Sequence, residues 1–114
     1  MAAYIPGQGD IVALTFDPQS GHEQKGRRPA LVISKRLFNR GTGMAIVCPI
    51  TNTFRNLPFH VAIPEESELT GYVMVEQVKT VDFRYHGAKL IEKKAESFWL
   101  RYYLFWMPVF TNFS

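Results

Sequence analysis

Short apolar runs alternate with turn-forming residues along most of this chain. Runs of about four to eight residues bounded by Gly, Pro, Asn or Asp are typical of β-strands. The pattern predicts strands at residues 10–16, 30–33, 44–50, 59–63 and 87–90, with one bent strand or two between residues 72 and 83. Short strands at this spacing predict a compact antiparallel barrel or sandwich, in which function usually lies in the loops.

The pattern changes near residue 94, after which the sequence is compatible with a helix. The chain has sixteen aromatic residues (nine Phe, five Tyr and two Trp), and half of them lie in the last seventeen positions. This run is shorter than the roughly 20 apolar residues that span a membrane, and Arg101 and Pro108 interrupt it. We therefore expect a helix that packs on the barrel or on a second subunit, and no membrane span.

Composition supports a single folded domain over residues 1–114. That length can bury a core without disulfides, and a hydrophobic content of 46% argues against disorder. The formal net charge of +3 and the sequence pI of about 9.2 favour a polyanionic partner only weakly. The N-terminus lacks the basic and apolar regions of a signal peptide, so we expect a cytoplasmic protein. The single cysteine, Cys48, lies among apolar residues and is interpreted as a buried strand residue.

Three polar segments border the predicted strands and hold the candidate functional side chains. They cover residues 21–28, 49–59 and 76–87. Taken singly, each also has a structural interpretation as a solvated loop, a strand end or the wet face of a strand. Sequence spacing does not establish that the three segments meet in space.

Motifs for metal binding or nucleophilic catalysis are absent from the sequence. His22, His60 and His86 are scattered, without an H-x-x-H or C-x-x-C arrangement. The chain has neither a G-x-x-x-x-G-K-[ST] phosphate loop nor a G-x-S-x-G elbow. An activity without metal or cofactor is the remaining expectation.

The segment GDIVALTFDPQSGHEQKGRRPALVIS, residues 9–34, resembles the start of MazF/PemK-type toxins of bacterial toxin–antitoxin systems. The family pattern is a G-D-[ILV] strand followed by D-P, G-x-E-Q and R-P, and then an apolar strand. The resemblance continues in order through residues 39–52, 57–64 and 71–90, and it covers about residues 5–92. It is therefore more specific than a single short motif.

The resemblance implies a mainly β fold, a small SH3-like barrel with a C-terminal helix, related to the CcdB gyrase poison. It implies a homodimer that cuts single-stranded RNA, chiefly mRNA, at short sequence motifs without a metal or other cofactor. It also implies that a partly disordered antitoxin of the MazE type neutralises the toxin by covering the RNA site.

The resemblance also implies which residues carry the activity. Motif matching places the family's essential arginine at Arg28 and its essential threonine at Thr51, and it aligns Glu23 and Gln24 with the family's E-Q pair. Arg28 can contact two phosphate oxygens at once, and Thr51 can hydrogen-bond the phosphate or the ribose 2′-OH. We therefore predict Arg28, Thr51 and Glu23 as the catalytic residues.

Cleaving RNA without a metal requires three things of the protein. The ribose 2′-OH must lose its proton, the charge that develops on the phosphate must be neutralised, and the leaving 5′-oxygen must be protonated. This chemistry leaves a 2′,3′-cyclic phosphate and a 5′-OH. Arginine is too basic to shuttle protons readily, so the proton acceptor stays open between Glu23, His22 and Asp82.

Sequence preference would come from unstacked bases that meet polar and aromatic side chains of the loop at residues 52–57. Lys79 and Arg84 are candidates for contacts with the RNA backbone, and Gln77 is a candidate for reading a base edge. The predicted RNA-binding residues are His22, Gln24, Arg27, Asn52, Thr53, Phe54, Arg55, Gln77, Lys79, Asp82 and Arg84.

The C-terminal residues depart from the family pattern. Family members usually end in an amphipathic helix rich in Leu, Val and Glu, whereas residues 95–114 here are strongly aromatic. We interpret this end either as a hydrophobic dimer or partner surface or as the result of a reading-frame disruption. Two alternatives to an RNA-cutting toxin stay open: a non-catalytic barrel that binds antitoxin or RNA, and a CcdB-like topoisomerase poison. The presence of both Arg28 and Thr51 favours the enzyme.

Overall fold

A computed structural model of the chain describes residues 3–16, 26–53, 59–63, 67 and 69–93. Within these residues the chain forms seven strands, one short α-helix and one turn of 3-10 helix. The strands are β1 (Ile11–Phe16), β2 (Gly26–Val32), β3 (Met44–Thr51), β4 (His60–Ala62), β5 (Tyr72–Met74), β6 (Lys79–Asp82) and β7 (Lys89–Glu92); helix α1 is Arg36–Thr42, and the 3-10 turn is Val75–Gln77.

The strands pair in antiparallel fashion in the order β4-β5-β3-β2-β1-β7, and β6 also pairs with β3. The central strand β3 therefore contacts β2, β6 and β5. The predicted mainly β, antiparallel class is confirmed. The described residues contain no pairing between β4 and β7, so they form a barrel-like sheet that is not closed.

Alternate residues of the central strands enter two hydrophobic clusters. In β2, Ala30 and Val32 join one cluster, which also contains Leu14. Leu31 joins the other cluster together with Cys48. Because successive strand residues point to opposite faces, the sheet is covered on both sides. This explains why these strands are continuous apolar runs without the alternation of a half-exposed strand.

The segment between residues 72 and 83 forms two strands, which decides between the two options that the sequence left open. The 3-10 turn Val75–Gln77 separates β5 from β6. Its first residue, Val75, is only 1% exposed and belongs to the same cluster as Leu31. The turn therefore lets one chain segment pair with two different portions of β3.

Helix α1 was not predicted from the sequence. Its seven residues, RLFNRGT, include Gly and Thr, which are poor helix formers, and its N-cap Lys35 makes no side-chain capping bond. Tertiary hydrogen bonds hold it instead: the buried Asn39 donates through Nδ2 to the carbonyl oxygen of Pro6 at 2.8 Å, and it accepts the hydroxyl of Ser34. Long-range contacts thus override weak local propensity.

The predicted C-terminal helix and the aromatic tail lie outside the described residues. Among the helices of the described residues, none is both long and apolar enough to cross a membrane.

Candidate active site

The sheet brings Arg28 and Thr51 to the same level at one end. β2 and β3 are antiparallel, and the last pair of their ladder joins Ala30 to Pro49. Arg28 lies two residues before Ala30 and Thr51 two residues after Pro49, so both follow the last pair of the ladder by the same number of residues. Alternate residues of a strand point to the same face of a sheet. The two residues that the sequence resemblance singled out therefore lie at one end of the ladder and on one face of the sheet.

Thr51 is held tightly at the end of β3. Its side chain is buried, at 6% exposure, and its hydroxyl oxygen accepts the N–H of Thr53 at 3.2 Å. Gly71 lies next to the backbone of Thr51. It has φ +135°, and a Cβ at this position would lie 2.8 Å from the carbonyl oxygen of Thr51. Only glycine fits this close approach without strain. The backbone around Thr51 is therefore fixed by its neighbours.

The structure adds Tyr72 to the candidate site. Tyr72 of β5 pairs with Thr51, and Arg28 lies at the same end of the sheet on β2. We refer to Arg28, Thr51 and Tyr72 as the row. Its side chain is half-buried, and a phenol can both hydrogen-bond and stack. In the sequence it is one tyrosine among many aromatic residues, and only its cross-strand partner distinguishes it.

Lys79 lies on the same sheet face as Thr51, further along β3. It pairs with Val47, which is four residues from Thr51, or about 13 Å of extended strand. Its ammonium group lies 5.3 Å from the centroid of the Phe16 ring, within cation–π range. Lys79 is therefore fixed near the end of β1, from which the loop carrying His22 to Gln24 departs.

Gln77 is placed in the 3-10 turn, which packs against β3. Its side-chain oxygen Oε1 is buried and has no hydrogen-bond partner among the described residues. A buried acceptor without a partner costs free energy. The role of Gln77 in reading a base edge stays a prediction.

Three of the predicted RNA-binding residues lie together beside the turn between β6 and β7. Arg27 donates to the hydroxyl of Thr15 at 3.2 Å and to the carbonyl oxygen of Gly87 at 2.8 Å. Asp82 accepts the backbone N–H of Arg84 through Oδ1 at 3.1 Å. Arg27, Arg84 and Asp82 are all exposed and sit at or beside the turn between β6 and β7.

Asp82, another candidate for the proton acceptor, lies at the end of β6 and pairs with Met44 at the start of β3. Its carboxylate accepts backbone N–H groups of the turn that follows, and its part in proton transfer stays a prediction. The other two candidates, Glu23 and His22, lie outside the described residues.

The remaining predicted residues divide between exposed positions and undescribed ones. Asn52 and Thr53 follow Thr51 directly and are exposed. The residues that lie outside the described part of the chain are His22, Glu23, Gln24, Phe54 and Arg55.

Neither metal ligands nor a reactive thiol accompany these residues in the described part of the chain. No three of its His, Cys, Asp and Glu side chains are grouped so that they could hold a metal ion. Cys48 is fully buried, as predicted, and burial raises the pKa of its thiol to about 12, with a smaller contribution from the Glu76 carboxylate. A thiol in this environment is a poor nucleophile near neutral pH.

Comparisons with known proteins agree with the arrangement of strands and motifs. Residues 7–98 match the family described as the PemK-like, MazF-like toxin of type II toxin–antitoxin systems. The endoribonuclease toxin MazF of Escherichia coli strain K12 is 38% identical over 88 residues, covering 77% of this chain and 78% of the relative. The endoribonuclease toxin ChpB of the same strain is 46% identical over 94 residues, covering 78% and 80%.

A solved structure shares the fold over almost the whole chain. A chain of the MazE-MazF crystal structure from Deinococcus radiodurans superposes with a TM-score of 0.79 at 33% identity, covering 98% of this chain and 100% of that chain. The fold, the order of the motifs and the matched length point the same way. This chain belongs to the PemK-like, MazF-like family of toxins of type II toxin–antitoxin systems.

Proposed function

We propose that this chain is a sequence-specific endoribonuclease toxin that cuts single-stranded RNA, chiefly mRNA, and thereby inhibits translation and growth. The observation that carries the proposal is the β2–β3 ladder, since Arg28 and Thr51 each lie two residues beyond its last pair and on the same face of the sheet. Family membership and the endoribonuclease names of the relatives support it.

In the proposed reaction, the ribose 2′-OH attacks the adjacent phosphorus and the bond to the 5′-oxygen breaks. The products are a 2′,3′-cyclic phosphate and a 5′-OH, and water is not consumed. Arg28 donates two N–H groups to the non-bridging phosphate oxygens, where negative charge grows in the transition state. The hydroxyl of Thr51 donates to the same phosphate or accepts from the 2′-OH.

The two proton transfers fall to other groups, because the guanidinium of Arg28 does not readily lose its proton. We propose Glu23 as the base that takes the 2′-OH proton, with His22 as the alternative, and the protonated base or a water molecule gives a proton to the leaving 5′-oxygen. Both belong to the loop that joins β1 to β2. This loop begins and ends at the same end of the sheet as Arg28, since Phe16 and Gly26 form the last pair of the β1–β2 ladder.

We assign selection of the RNA sequence to side chains around Arg28, Thr51 and Tyr72. The exposed Asn52 and Thr53 come directly before Phe54 and Arg55 in the sequence, and Gln77 offers a buried acceptor. Gln24, Arg27, Lys79 and Arg84 complete the proposed RNA contacts, whereas Asp82 acts through the turn that it forms.

We further propose that an antitoxin of the MazE type neutralises this toxin and that the toxin acts as a homodimer in the cytoplasm. The similarity to the MazE-MazF structure from Deinococcus radiodurans supports the antitoxin. The homodimer and the compartment are expectations from the family resemblance.

The test uses one long, unstructured RNA incubated with the purified protein in EDTA. Primer extension maps the cuts, and end-labelling detects 5′-OH termini. Arg28→Ala is expected to lower the cleavage rate about 10²–10³-fold, and Thr51→Ala about 10–100-fold. Thr51→Ser, which keeps a hydroxyl, should retain more activity than Thr51→Ala.

Two exposed residues away from the row provide matched controls. Arg40→Ala removes an arginine from the last turn of α1, and Thr80→Ala removes a threonine from β6. Both should cut at the wild-type rate. A folded wild type that cuts no RNA would favour a barrel that only binds antitoxin or RNA. Cleavage by Arg28→Ala at the wild-type rate would show that the site lies elsewhere, and cleavage that needs added metal would disprove the metal-free mechanism.

A further inference from the structure

The turn between β6 and β7, residues 83–88, presents an exposed aromatic ring on a rigid frame. Tyr85 at its tip is 78% exposed. Asp82 fixes the turn because its Oδ1 accepts the backbone N–H groups of both Arg84 and Tyr85, at 3.1 and 3.0 Å. The backbone N–H of His86 also donates to the carbonyl oxygen of Asp82 at 3.0 Å. An ordered turn that exposes a large ring calls for an explanation beyond folding.

This turn is attached to the root of the β1–β2 loop. The N–H of Thr15 donates to the carbonyl oxygen of His86 at 2.9 Å, and Nδ1 of His86 lies 2.8 Å from the carbonyl oxygen of Thr15. Since a carbonyl oxygen can only accept, Nδ1 carries the proton. Arg27 bridges the same elements by donating to Thr15 and to Gly87. The turn thus stands beside the ends of β1 and β2, between which Glu23 lies in the sequence.

The chemistry around Tyr85 fits single-stranded nucleic acid. The ring of His86 meets the Tyr85 ring edge to face, with 5.1 Å between centroids, and so supports one side of it. The exposed cations Arg27, Arg84 and Lys89 lie on or beside the turn. The carboxylate that borders the turn, that of Asp82, accepts two backbone N–H groups. Unstacked bases bind aromatic faces, and cations next to them bind the phosphates.

We propose that Tyr85 is a stacking platform for one base of the RNA, with Arg84 and Lys89 holding the adjoining phosphates. The platform takes a nucleotide that flanks the cut rather than the scissile phosphate. Arg27 and Arg28 are consecutive strand residues and therefore point to opposite faces of the sheet, and the turn contacts Arg27. This inference rests on the proposed function and extends it to RNA outside the cleaved step.

The test measures binding separately from cutting. The probe is a fluorescein-labelled 2′-O-methyl RNA of mixed, unstructured sequence, about 20 nucleotides long, which spans more than one site size and cannot be cut because the attacking hydroxyl is blocked. Fluorescence anisotropy compares wild type with Tyr85→Ala and Tyr85→Phe. Leu37→Ala is the matched control, because Leu37 in α1 is also 78% exposed and lies away from the turn.

Loss of one stacked base should weaken binding by Tyr85→Ala about five- to a hundredfold. Tyr85→Phe keeps the stacking face, so it should bind within about twofold of wild type, as should Leu37→Ala. Thermal unfolding of each variant checks that the fold is intact. A folded Tyr85→Ala that binds the probe as wild type does would overturn the inference and leave Tyr85 as a contact for a protein.

The outcomes separate this inference from the proposed function. If wild type cuts RNA and Tyr85→Ala binds the probe normally, only the stacking platform is disproved. If wild type binds the probe through Tyr85 but cuts no RNA, the platform is supported and the enzyme activity is disproved. If wild type neither binds nor cuts RNA, both are disproved.

Discussion

At the scale of single residues, Gly71 has the clearest influence on the candidate site. Its φ of +135° and the 2.8 Å that would separate an added Cβ from the carbonyl oxygen of Thr51 leave no room for a side chain. The same Cβ would also lie 3.1 Å from Oδ1 of Asn52. The geometry of Thr51 and Asn52 therefore depends on the absence of a side chain at a position about twenty residues away in the sequence.

We predict that Gly71→Ala lowers both stability and cleavage. The added methyl group must push β5 away from the end of β3, at a cost of about 1–3 kcal/mol. Urea unfolding measures the stability, and the cleavage assay in EDTA measures the displacement of Thr51.

Gly41→Ala is the matched control for that change. A Cβ at Gly41 meets nothing within 4 Å, and the residue lies inside α1. Alanine is a better helix former than glycine, so this variant should be unchanged or slightly more stable. Equal stability losses for both variants would contradict the contact between Gly71 and Thr51.

At the scale of elements, α1 shows that tertiary contacts decide where a short helix forms. The buried Asn39 connects the helix to the N-terminal segment through Pro6 and, through Ser34, to the residues that follow β2. The Ser34 hydroxyl in turn accepts the N–H of Ile46 at 2.9 Å. One asparagine therefore links the helix, the N-terminal segment and, through Ser34, strand β3.

We predict that Asn39→Ala costs about 2–3 kcal/mol of the free energy of unfolding. The change removes buried hydrogen bonds and leaves the Pro6 carbonyl oxygen without its donor. Urea unfolding with a fluorescence readout measures the cost. Arg40→Ala, the exposed neighbour in the same helix, should stay within about 0.5 kcal/mol of wild type. A cost for Asn39→Ala as small as that of Arg40→Ala would show that α1 is held by other contacts.

At the scale of the whole molecule, both faces of the sheet are buried, and the pH dependence of stability therefore includes a contribution from the Cys48 thiol. The residue is fully buried in the cluster that also holds Leu31. Burial raises its pKa from 9.0 to about 12 in the folded protein, and the Glu76 carboxylate adds to the increase. Between those pH values the folded state keeps the thiol proton and the unfolded state loses it. The contribution to stability is therefore complete below about pH 9 and is lost as pH rises toward 12.

We predict that the difference in stability between wild type and Cys48→Ala shrinks as pH rises from about 8 to about 10.5. The change should approach about 1.4 kcal/mol per pH unit at the upper end. Cys48→Ala is the reference for wild type, because tyrosines and lysines titrate alike in both proteins. Urea unfolding at several pH values gives the two curves, and parallel curves would contradict a thiol that stays protonated in the fold.

The positions of most strands could be predicted from the sequence because each is a local apolar run closed by turn residues. β1 and β3 lie within one residue of their predicted bounds, whereas β2 begins four residues earlier than predicted. The early start was not predicted because Arg27 and Arg28 are polar, and only their pairing with β1 identifies them as strand residues. α1 was missed for the same kind of reason, since the contacts that support it are long-range.

The sequence alone determined the mainly β class, the buried cysteine and, through the order of its motifs, the family, and it predicted Arg28 and Thr51 as site residues. These are local properties or direct matches of residue type. Only the tertiary structure decided which of the candidates share a face of the sheet, because register and pairing depend on contacts between distant segments. That is why it added Tyr72 and the Tyr85 turn, and why it showed that Asp82 shapes that turn.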